Sequence, residues 1–244
     1  QGQVLADIAI SRGQTDMAVT YTNNDYGKGL ADAFASAYEA VGGTITVMSG
    51  HEDDKADYSA DVAALSAGGS ATLAVLGYAD TGGKGIIAAS EDTGAFTDYV
   101  FADGMISTTT SGAVGDGSWG TLPAPSGALA ANWLSVAEAG GVDGTGAYSA
   151  ESYDAMALII LASQAAGSTD RAAIQAQVMN VANAPGIQCS AGDLGTCLKY
   201  ISGGLVVDYV GATGVEFTAV GEGKGSYAEK EVIGGAFTTV ASHQ

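Results

Sequence analysis

The most informative segment of the sequence runs from residue 17 to residue 34 and is Met-Ala-Val-Thr-Tyr-Thr-Asn-Asn-Asp-Tyr-Gly-Lys-Gly-Leu-Ala-Asp-Ala-Phe. Its first six residues are mostly apolar, β-branched or aromatic, which predicts a strand. The polar residues Asn23-Asn24-Asp25 then predict a turn. Leu30, Phe34 and Tyr38 follow at helical spacing, which predicts an amphipathic helix. A strand, a turn and a helix in this order are typical of a parallel α/β sheet.

The same alternation continues through the first half of the chain. Further strands are predicted at Thr44–Ser49, Thr72–Leu76 and Asp98–Ala102, with helical segments between them. Strands separated by helices of about ten residues form βαβ units, and right-handed crossovers place the helices on both faces of the sheet. The sequence therefore predicts an α/β fold with a parallel sheet flanked by helices.

Three chemically distinctive residues each follow the end of a predicted strand. They are Tyr26, Tyr78 and Asp103. The carboxyl ends of parallel strands share one edge of the sheet, and ligands of open α/β sheets bind in the crevice at that edge. We therefore expect these three side chains to converge, although they are far apart in sequence.

The pattern changes after Asp103, where residues 108–118 are polar and rich in glycine. Trp119–Gly127, which holds two prolines, predicts a linker or a domain crossing. Helices are predicted over residues 129–139, 150–166 and 170–183. A cysteine-containing loop is predicted after Pro185, followed by short β-prone pieces.

Charge and composition exclude several classes of protein. The 244 residues include 8 Lys+Arg and 27 Asp+Glu, for a net charge of −19. Binding to nucleic acid or to an anionic membrane surface requires a basic face, and this sequence has no basic cluster. The hydrophobic fraction of 47% indicates a globular chain, and no apolar run reaches the length of a membrane span.

Signals of catalysis or metal binding are lacking in the sequence. His51 and His243 are predicted to lie in a loop and at the terminus, and the acidic run Glu52-Asp53-Asp54 is predicted to be a solvated loop. No nucleophile elbow, phosphate loop or metal-ligand spacing is found. The sequence therefore predicts a protein that is not an enzyme and that has no cofactor and no metal.

The two cysteines leave two alternatives open. Cys189 and Cys197 have seven residues between them. In an exported protein they would form a local disulfide, whereas in a reducing compartment they would be two buried thiols.

Several short motifs, in their order and spacing, resemble the leucine/isoleucine/valine-binding family of type I periplasmic solute-binding proteins. The motifs are Asn24-Asp25-Tyr26-Gly27-Lys28-Gly29, Asp57-Tyr58-Ser59-Ala60, Gly77-Tyr78, Phe101-Ala102-Asp103-Gly104, Ser152-Tyr153-Asp154-Ala155, and Tyr209 to Gly214 followed by Phe217. None of them is specific alone, but together they cover nearly all of the chain.

The resemblance implies a fold and a domain division. Family members have two Rossmann-like lobes, each with a parallel sheet flanked by helices, and this chain resembles them without the N-terminal part of the first lobe. Residues 1–123 and 223–244 would form the second, C-terminal lobe. Residues 124–222 would form the returning part of the first, N-terminal lobe.

The resemblance also implies roles for four residues. Tyr26 would cover the ligand, Tyr78 would line the cleft, Asp103 would pair with the ligand's α-ammonium group, and Tyr148 would border the side-chain pocket. Most members with the ammonium-pairing role carry Glu, so the shorter Asp103 requires closer approach or a bridging water. Packing at the strand ends, an Asp-Gly turn at Asp103 and a helix-entry contact at Tyr148 are the structural alternatives.

The implied function is that of an extracytoplasmic substrate-binding protein of an ABC importer, which binds branched-chain or related amino acids by hinge closure. Such a protein is exported to the periplasm, works as a monomer with a membrane permease as its partner, and would form the Cys189–Cys197 disulfide. Its export signal would lie outside these residues. Alternatives are a ligand-sensing receptor domain of the same fold, a binder of amides, urea or aromatic acids, and a flavodoxin-like α/β enzyme.

Overall fold

The computed structural model describes residues 1–244, which divide into two compact units. Unit 1 comprises residues 1–122 and 228–243, and unit 2 comprises residues 123–227 and residue 244. None of the helices combines the length and the apolar character that crossing a bilayer requires.

Unit 1 is built around a seven-stranded sheet. Its strands are β1 (Asp16–Thr22), β2 (Thr44–His51), β3 (Thr72–Leu76), β4 (Asp98–Phe101), β5 (Trp119–Pro123), β8 (Tyr227–Ile233) and β9 (Ala236–His243). Its helices are α1 (Gly2–Ser11), α2 (Asp25–Ala40), α3 (Ser59–Ser66), α4 (Gly82–Thr93) and α5 (Thr108–Ser111). The predicted α/β fold is confirmed, and the four strands predicted in the first half are each found within two residues of their expected ends.

The strand order is β2-β1-β3-β4-β5-β8-β9, and the first five strands pair in parallel. The chain moves outward from β1 to β2 and then crosses back to β3, so the order reverses between β1 and β3. Thr22 pairs with His51, Tyr21 with Leu76, and Val75 with Phe101. The carboxyl ends of β1 to β4 are therefore level with one another at one edge of the sheet.

The central strands β1, β3, β4 and β5 of the unit 1 sheet are mostly buried, as strands covered by helices on both faces are. The outer strands β2 and β9 are mostly half-buried or exposed. Leu76 and Ala74 of β3 belong to a core that includes residues of α1 and α2. Leu73 and Val75 point the other way and belong to a core that includes residues of α3 and α4. This arrangement explains why β3 appears in the sequence as a buried threonine followed by four apolar residues, all of them buried.

Unit 2 consists mainly of helices. Its elements are α6 (Gly127–Ala139), α7 (Ser149–Ala166), α8 (Arg171–Ala182), β6 (Ile187–Ser190), α9 (Leu194–Ser202) and β7 (Val207–Gly211). The two strands pair in parallel, and their buried residues pack with α7, α8 and α9.

A buried carboxylate ties unit 2 together. Asp154 of α7 accepts hydrogen bonds from the Tyr209 hydroxyl at 2.8 Å, from the backbone N–H of Ala212 at 2.8 Å, and from the N–H and hydroxyl of Thr213 at 2.8 Å each. These donors offset the cost of burying its charge. Asp154 therefore anchors the chain that follows β7 to α7.

In the region after Asp103, the predicted linker and the predicted cysteine loop were wrong, and one strand was missed. The chain passes from unit 1 to unit 2 within Trp119–Gly127, as the domain-crossing alternative expected. The segment is not a linker, however, because it begins with the buried strand β5, where the Trp119 indole N–H donates to the Gln14 side chain at 2.9 Å. Its prolines lie at and just after the strand end, where no ladder hydrogen bond is required of them. The predicted cysteine loop contains β6 and α9, and β9 after the Gly234-Gly235 turn was not predicted.

Candidate functional site at the carboxyl edge of the unit 1 sheet

Tyr26 is held at the carboxyl edge by the start of α2. The Asn24 side chain caps this helix by accepting the N–H of Gly27 at 2.9 Å. Gly27 lies so close to β1 that a Cβ there would overlap the carbonyl oxygen of Thr22. The first turn of α2 therefore rests directly on the end of β1. Tyr26 is the second residue of the helix, whereas the sequence had suggested a position before it.

Tyr78 and Asp103 are brought together by two neighbouring strand ends. Tyr78 follows Gly77 at the end of β3, and Asp103 opens a single 3₁₀ turn after β4. A Cβ at Gly104 would overlap the carbonyl oxygen of Gly77, and the N–H of Ala79 donates to the Gly104 carbonyl at 3.0 Å. The two segments are therefore in direct backbone contact.

The three side chains form one cluster, which we call the tyrosine–aspartate cluster (Tyr26, Tyr78 and Asp103). The rings of Tyr26 and Tyr78 stack with their centroids 5.3 Å apart and their planes inclined by 26°. The Tyr26 hydroxyl donates to Oδ1 of Asp103 at 3.2 Å. The predicted convergence of these residues is confirmed, while their role toward a ligand stays a prediction.

The electrostatics of the cluster favour a neutral Tyr26 beside an acceptor. Burial raises the pKa of Tyr26 well above its ordinary value, and the charge of Asp103 and the hydrogen bond to it raise it further. Tyr78 keeps 37% of its surface exposed, so one side of the stack is open to solvent. A carboxylate beside two aromatic rings suits a cationic group attached to an apolar or planar body.

The cluster also lies where the topology favours a ligand. Tyr26 follows β1 and Tyr78 follows β3, the two strands between which the strand order reverses. In open α/β sheets this switch point leaves a crevice, because the connections on either side of it go to opposite faces.

Tyr148, the fourth predicted site residue, belongs to unit 2. It immediately precedes α7 and has a φ of 59°, a left-handed conformation that is uncommon for an aromatic residue. Its side chain is exposed. Its contribution to a ligand site stays a prediction.

The sequence did not predict the polar groups that lie beneath this edge. His51 is the buried last residue of β2 rather than part of a loop, and its Nδ1 lies 2.8 Å from the Thr20 hydroxyl. Asp53 is not simply solvated, because it accepts from the Thr22 and Thr81 hydroxyls at 2.8 Å each and from the N–H of Gly82. The signal that could have found His51 was the register, since a parallel strand from Thr44 ends opposite Thr22.

Hydrogen bonds favour the ionised form of the Asp53 carboxylate. Burial alone would raise its pKa, but the hydrogen bonds from Thr22, Thr81 and Gly82 outweigh burial and leave the pKa below its ordinary value. Asp53 thus joins the end of β1 to the start of α4.

Unit 2 contains a disulfide and an apolar groove. A disulfide joins Cys189 of β6 to Cys197 of α9, so the implied pairing is confirmed. An apolar groove of about 390 Å³ lies between α8, the end of α9 and β7. It lies in unit 2, whereas the tyrosine–aspartate cluster lies in unit 1. No group of three or more His, Cys, Asp or Glu side chains in residues 1–244 is arranged to hold a metal ion.

Comparison with known proteins gives a result at the level of structure. No protein-family model and no curated protein matches the sequence. Among solved structures, the leucine-binding protein LivK from Thermotoga maritima matches with a TM-score of 0.73 at 20% identity, over 99% of this chain and 64% of LivK. An R. palustris solute-binding protein in complex with 4-hydroxybenzoate matches with a TM-score of 0.70 at 15% identity, over 100% of this chain and 64% of its own.

A type 1 periplasmic binding protein from Bordetella pertussis Tohama I matches with a TM-score of 0.68 at 16% identity, over 98% of this chain and 66% of that protein. This chain therefore spans about two thirds or less of the solved structures it matches. At these identities the likeness concerns the fold. The chain has the fold of the type I periplasmic binding proteins.

Proposed function

We propose that this chain belongs to an extracytoplasmic solute-binding protein that serves an ABC importer and that it binds rather than transforms its ligand. The observation that carries the proposal is the tyrosine–aspartate cluster at the strand-order reversal of unit 1. The shared fold supports it, since the similar structures are described as solute-binding proteins of ABC transporters. Export to the periplasm and a membrane permease as partner are parts of the same proposal.

The chemistry of the cluster favours an amino acid as the ligand. The Asp103 carboxylate suits an α-ammonium group, with which it would form a charge-assisted hydrogen bond. The stacked rings of Tyr26 and Tyr78 supply apolar surface for the rest of the molecule. A ligand with only a carboxylate, such as 4-hydroxybenzoate, would meet repulsion at Asp103. Branched-chain or related amino acids are therefore the first candidates.

We further propose that unit 1 is the closing lobe and that unit 2 is the returning part of the first lobe. Two observations support this division. The chain spans only 64% of LivK, and unit 2 has just two strands. Parallel sheets in α/β proteins are covered on both faces and have more strands than two, so a larger lobe would complete unit 2. Ligand capture would then proceed by hinge closure.

The test is ligand-induced stabilisation of the full-length protein. A ligand that binds only the folded state, at 100 times its dissociation constant, adds about 2.7 kcal/mol to the free energy of unfolding. We expect leucine, isoleucine or valine to raise the melting temperature, and 4-hydroxybenzoate to leave it unchanged. A response to 4-hydroxybenzoate alone would replace the amino-acid assignment by an aromatic acid. No response to any of the four would contradict the proposal.

Two variants of β4 and its end connect the response to the site. Asp103→Asn removes the charge at the carboxyl end of β4 and should abolish the stabilisation by leucine. Asp98→Asn removes an exposed charge at the other end of the same strand and should leave the stabilisation unchanged. An equal response in the two variants would sink the pairing of Asp103 with the ammonium group.

A further inference from the structure

A buried imidazole lies directly behind the tyrosine–aspartate cluster. His51 is only 1% exposed, and its Nδ1 is 2.8 Å from the Thr20 hydroxyl. Its Nε2 is buried and has no hydrogen-bond partner among the protein groups. Buried polar atoms are nearly always paired, so a neutral ring with one unpaired nitrogen requires a specific reason.

Three segments that form the carboxyl edge pack against this ring. A Cβ at Gly77 would lie 3.2 Å from Nε2, and a Cβ at Gly82 would lie 2.6 Å from the ring carbon Cδ2. On a further side the Tyr58 ring meets the imidazole edge-on, with centroids 6.4 Å apart. The imidazole thus fills the space between the end of β1, the end of β3 and the start of α4.

Gly77 links this ring to the cluster. Its Cα faces the imidazole, and its carbonyl oxygen faces Gly104, next to Asp103. Tyr78, which stacks on Tyr26, is the residue that follows it. A shift of the Gly77 backbone away from His51 would therefore change both the tyrosine stack and its distance from the carboxylate.

We propose that neutral His51 is a positioning residue for the tyrosine–aspartate cluster, which it controls by setting the place of the Gly77–Tyr78 backbone. The inference rests on the proposed function in so far as it concerns a ligand. Its geometric part concerns the cluster alone and can be tested without one.

The charge state of His51 gives this role a pH dependence. Burial lowers the pKa of His51 below its ordinary value of 6.5, the carboxylates of Asp53, Asp61 and Glu52 act in the opposite direction, and Lys55 lowers it further. The ring is therefore neutral at neutral pH. Below its folded pKa the ring becomes an imidazolium whose Nε2–H has no acceptor, so the packing around Gly77 must change.

The first test measures the NMR signals of the Tyr26, Tyr78 and His51 rings as a function of pH, in the full-length protein with ¹³C-labelled tyrosine and histidine. We expect the Tyr26 and Tyr78 ring signals to shift with the same midpoint as the His51 ring, below pH 6.5. The Tyr209 signal, from unit 2, should stay constant through this range and so exclude global unfolding. In the His51→Gln variant the shift of the two tyrosines should disappear. The inference would be overturned if the tyrosine signals do not change as His51 titrates, or if they still shift with pH in the His51→Gln variant.

The second test is a double-mutant cycle on leucine affinity at neutral pH. Gly77 is not among the glycines with a positive φ, and the only tight contacts of an added Cβ there are with the His51 ring, since Thr22 Cβ lies at an ordinary 3.7 Å. Gly77→Ala should therefore weaken leucine binding about ten-fold, or about 1.4 kcal/mol. His51→Asn shortens the side chain and makes room for the added methyl group. In that background Gly77→Ala should cost much less, because contacting residues couple. Losses that simply add would overturn the inference.

The outcomes separate the inference from the proposed function. If the wild-type protein binds leucine and all His51 and Gly77 variants bind it equally well, the positioning role fails and the function stands. If the wild-type protein binds none of leucine, isoleucine, valine or 4-hydroxybenzoate, the proposed function fails. The NMR titration of the Tyr26 and Tyr78 rings then decides the positioning role alone. His243→Gln, a change at the end of β9, serves as the histidine control and should leave the tyrosine titration unchanged.

Discussion

Units 1 and 2 both alternate strands with helices, but they bury their apolar side chains to different extents. In unit 1 the strand β3 is buried along its whole length, whereas the first two residues of β6 in unit 2 are exposed. Nine of the fourteen exposed large apolar side chains belong to unit 2, although it is the smaller unit. Met156 and Ile159 of α7 are among them, at 57% and 48% exposed.

The two units therefore depend on different interactions for their stability. Unit 1 has a sheet covered on both faces, so apolar burial supplies most of its stability. Unit 2 has two strands and a helix, α7, that is apolar on more than one side. The stability of unit 2 depends to a larger extent on one buried carboxylate, Asp154, and on one disulfide. Changes at these two places should therefore act on unit 2 and leave unit 1 unaffected.

The largest effect is expected for Asp154→Ala. The change would leave the Tyr209 hydroxyl and the N–H groups of Ala212 and Thr213 without their acceptor. Each buried donor left unpaired costs about 1–3 kcal/mol, so the free energy of unfolding of unit 2 should fall by roughly 3 kcal/mol or more. Amide hydrogen exchange, measured on peptides from each unit, should accelerate in residues 123–227 and not in residues 1–122.

An exposed aspartate in unit 2 gives the matched control. Asp170 caps α8 by accepting the N–H groups of Ala172 and Ala173 at 3.0 and 3.1 Å. Loss of such a cap costs about 1 kcal/mol, so Asp170→Ala should have a clearly smaller effect than Asp154→Ala. Equal effects of the two changes would show that Asp154 is not the anchor of unit 2.

Loss of the disulfide should have the next largest effect, again confined to unit 2. Cys189 and Cys197 are both buried and close a short loop between β6 and α9. In the chain-entropy description, opening a loop of this size costs about 2–3 kcal/mol. A reductant should lower the unfolding temperature of unit 2, and it should have no further effect on a variant with both cysteines changed to serine. After reduction, faster hydrogen exchange in unit 2 alone would support the different dependence of the two units, while equal acceleration in both would contradict it.

The difference in burial between the two units also explains which strands could be predicted from the sequence. Strands such as β3 are apolar on both faces and end at Gly77, so local sequence is sufficient to identify them. β6 has only four residues, the first two exposed, and its pairing with β7 depends on residues about twenty positions away. β5 could not be identified from local sequence, because two prolines at and after its end are typical of a loop and the burial of Trp119 depends on long-range packing with Gln14 and Arg12.

The candidate site also contains residues that the sequence predicts and one residue whose burial it does not predict. Tyr26, Tyr78 and Asp103 could be predicted, because each follows a strand and the ends of parallel strands share an edge. Only the register of β2 on β1 indicated the position of His51, and its burial depends on the close approach of Gly77 and Gly82 from two other segments. The sequence indicates which residues lie at the carboxyl edge of the sheet. The packing behind these residues depends on backbone segments that are distant in sequence.

Two glycines of one helix test the contact that holds Tyr26 in place. In Gly27→Ala the added methyl group would overlap the carbonyl oxygen of Thr22, so unit 1 should lose about 1–3 kcal/mol and α2 should shift at its start. Gly29 lies two residues further along and has nothing within 4 Å of an added Cβ. Gly29→Ala should therefore stabilise the protein by about 0.5–1 kcal/mol, since alanine is the better helix former. Urea unfolding of unit 1 measures both, and a Gly27→Ala protein as stable as the Gly29→Ala protein would show that α2 does not rest on β1.

The smallest effect expected is an opposite response of the two units to mild acid. In unit 1, His51 has a lowered pKa, so the unfolded chain takes up a proton before the folded chain does, and stability falls as the pH drops below 6.5. In unit 2, burial of Glu151 and then the charge of Asp154 raise the pKa of that carboxyl above its ordinary value of 4.5. The folded form then holds the proton more tightly, so stability rises as the pH falls through the raised pKa toward 4.5. Because Glu151 is only half-buried and screened by solvent, its effect should stay below about 1 kcal/mol.

Hydrogen exchange, measured between pH 6.5 and pH 4.5, should show opposite changes in stability for the two units. His51→Gln should remove the pH dependence of unit 1, and Glu151→Gln should remove that of unit 2. Parallel slopes that survive both changes would mean that other groups, common to the two units, control the response to acid.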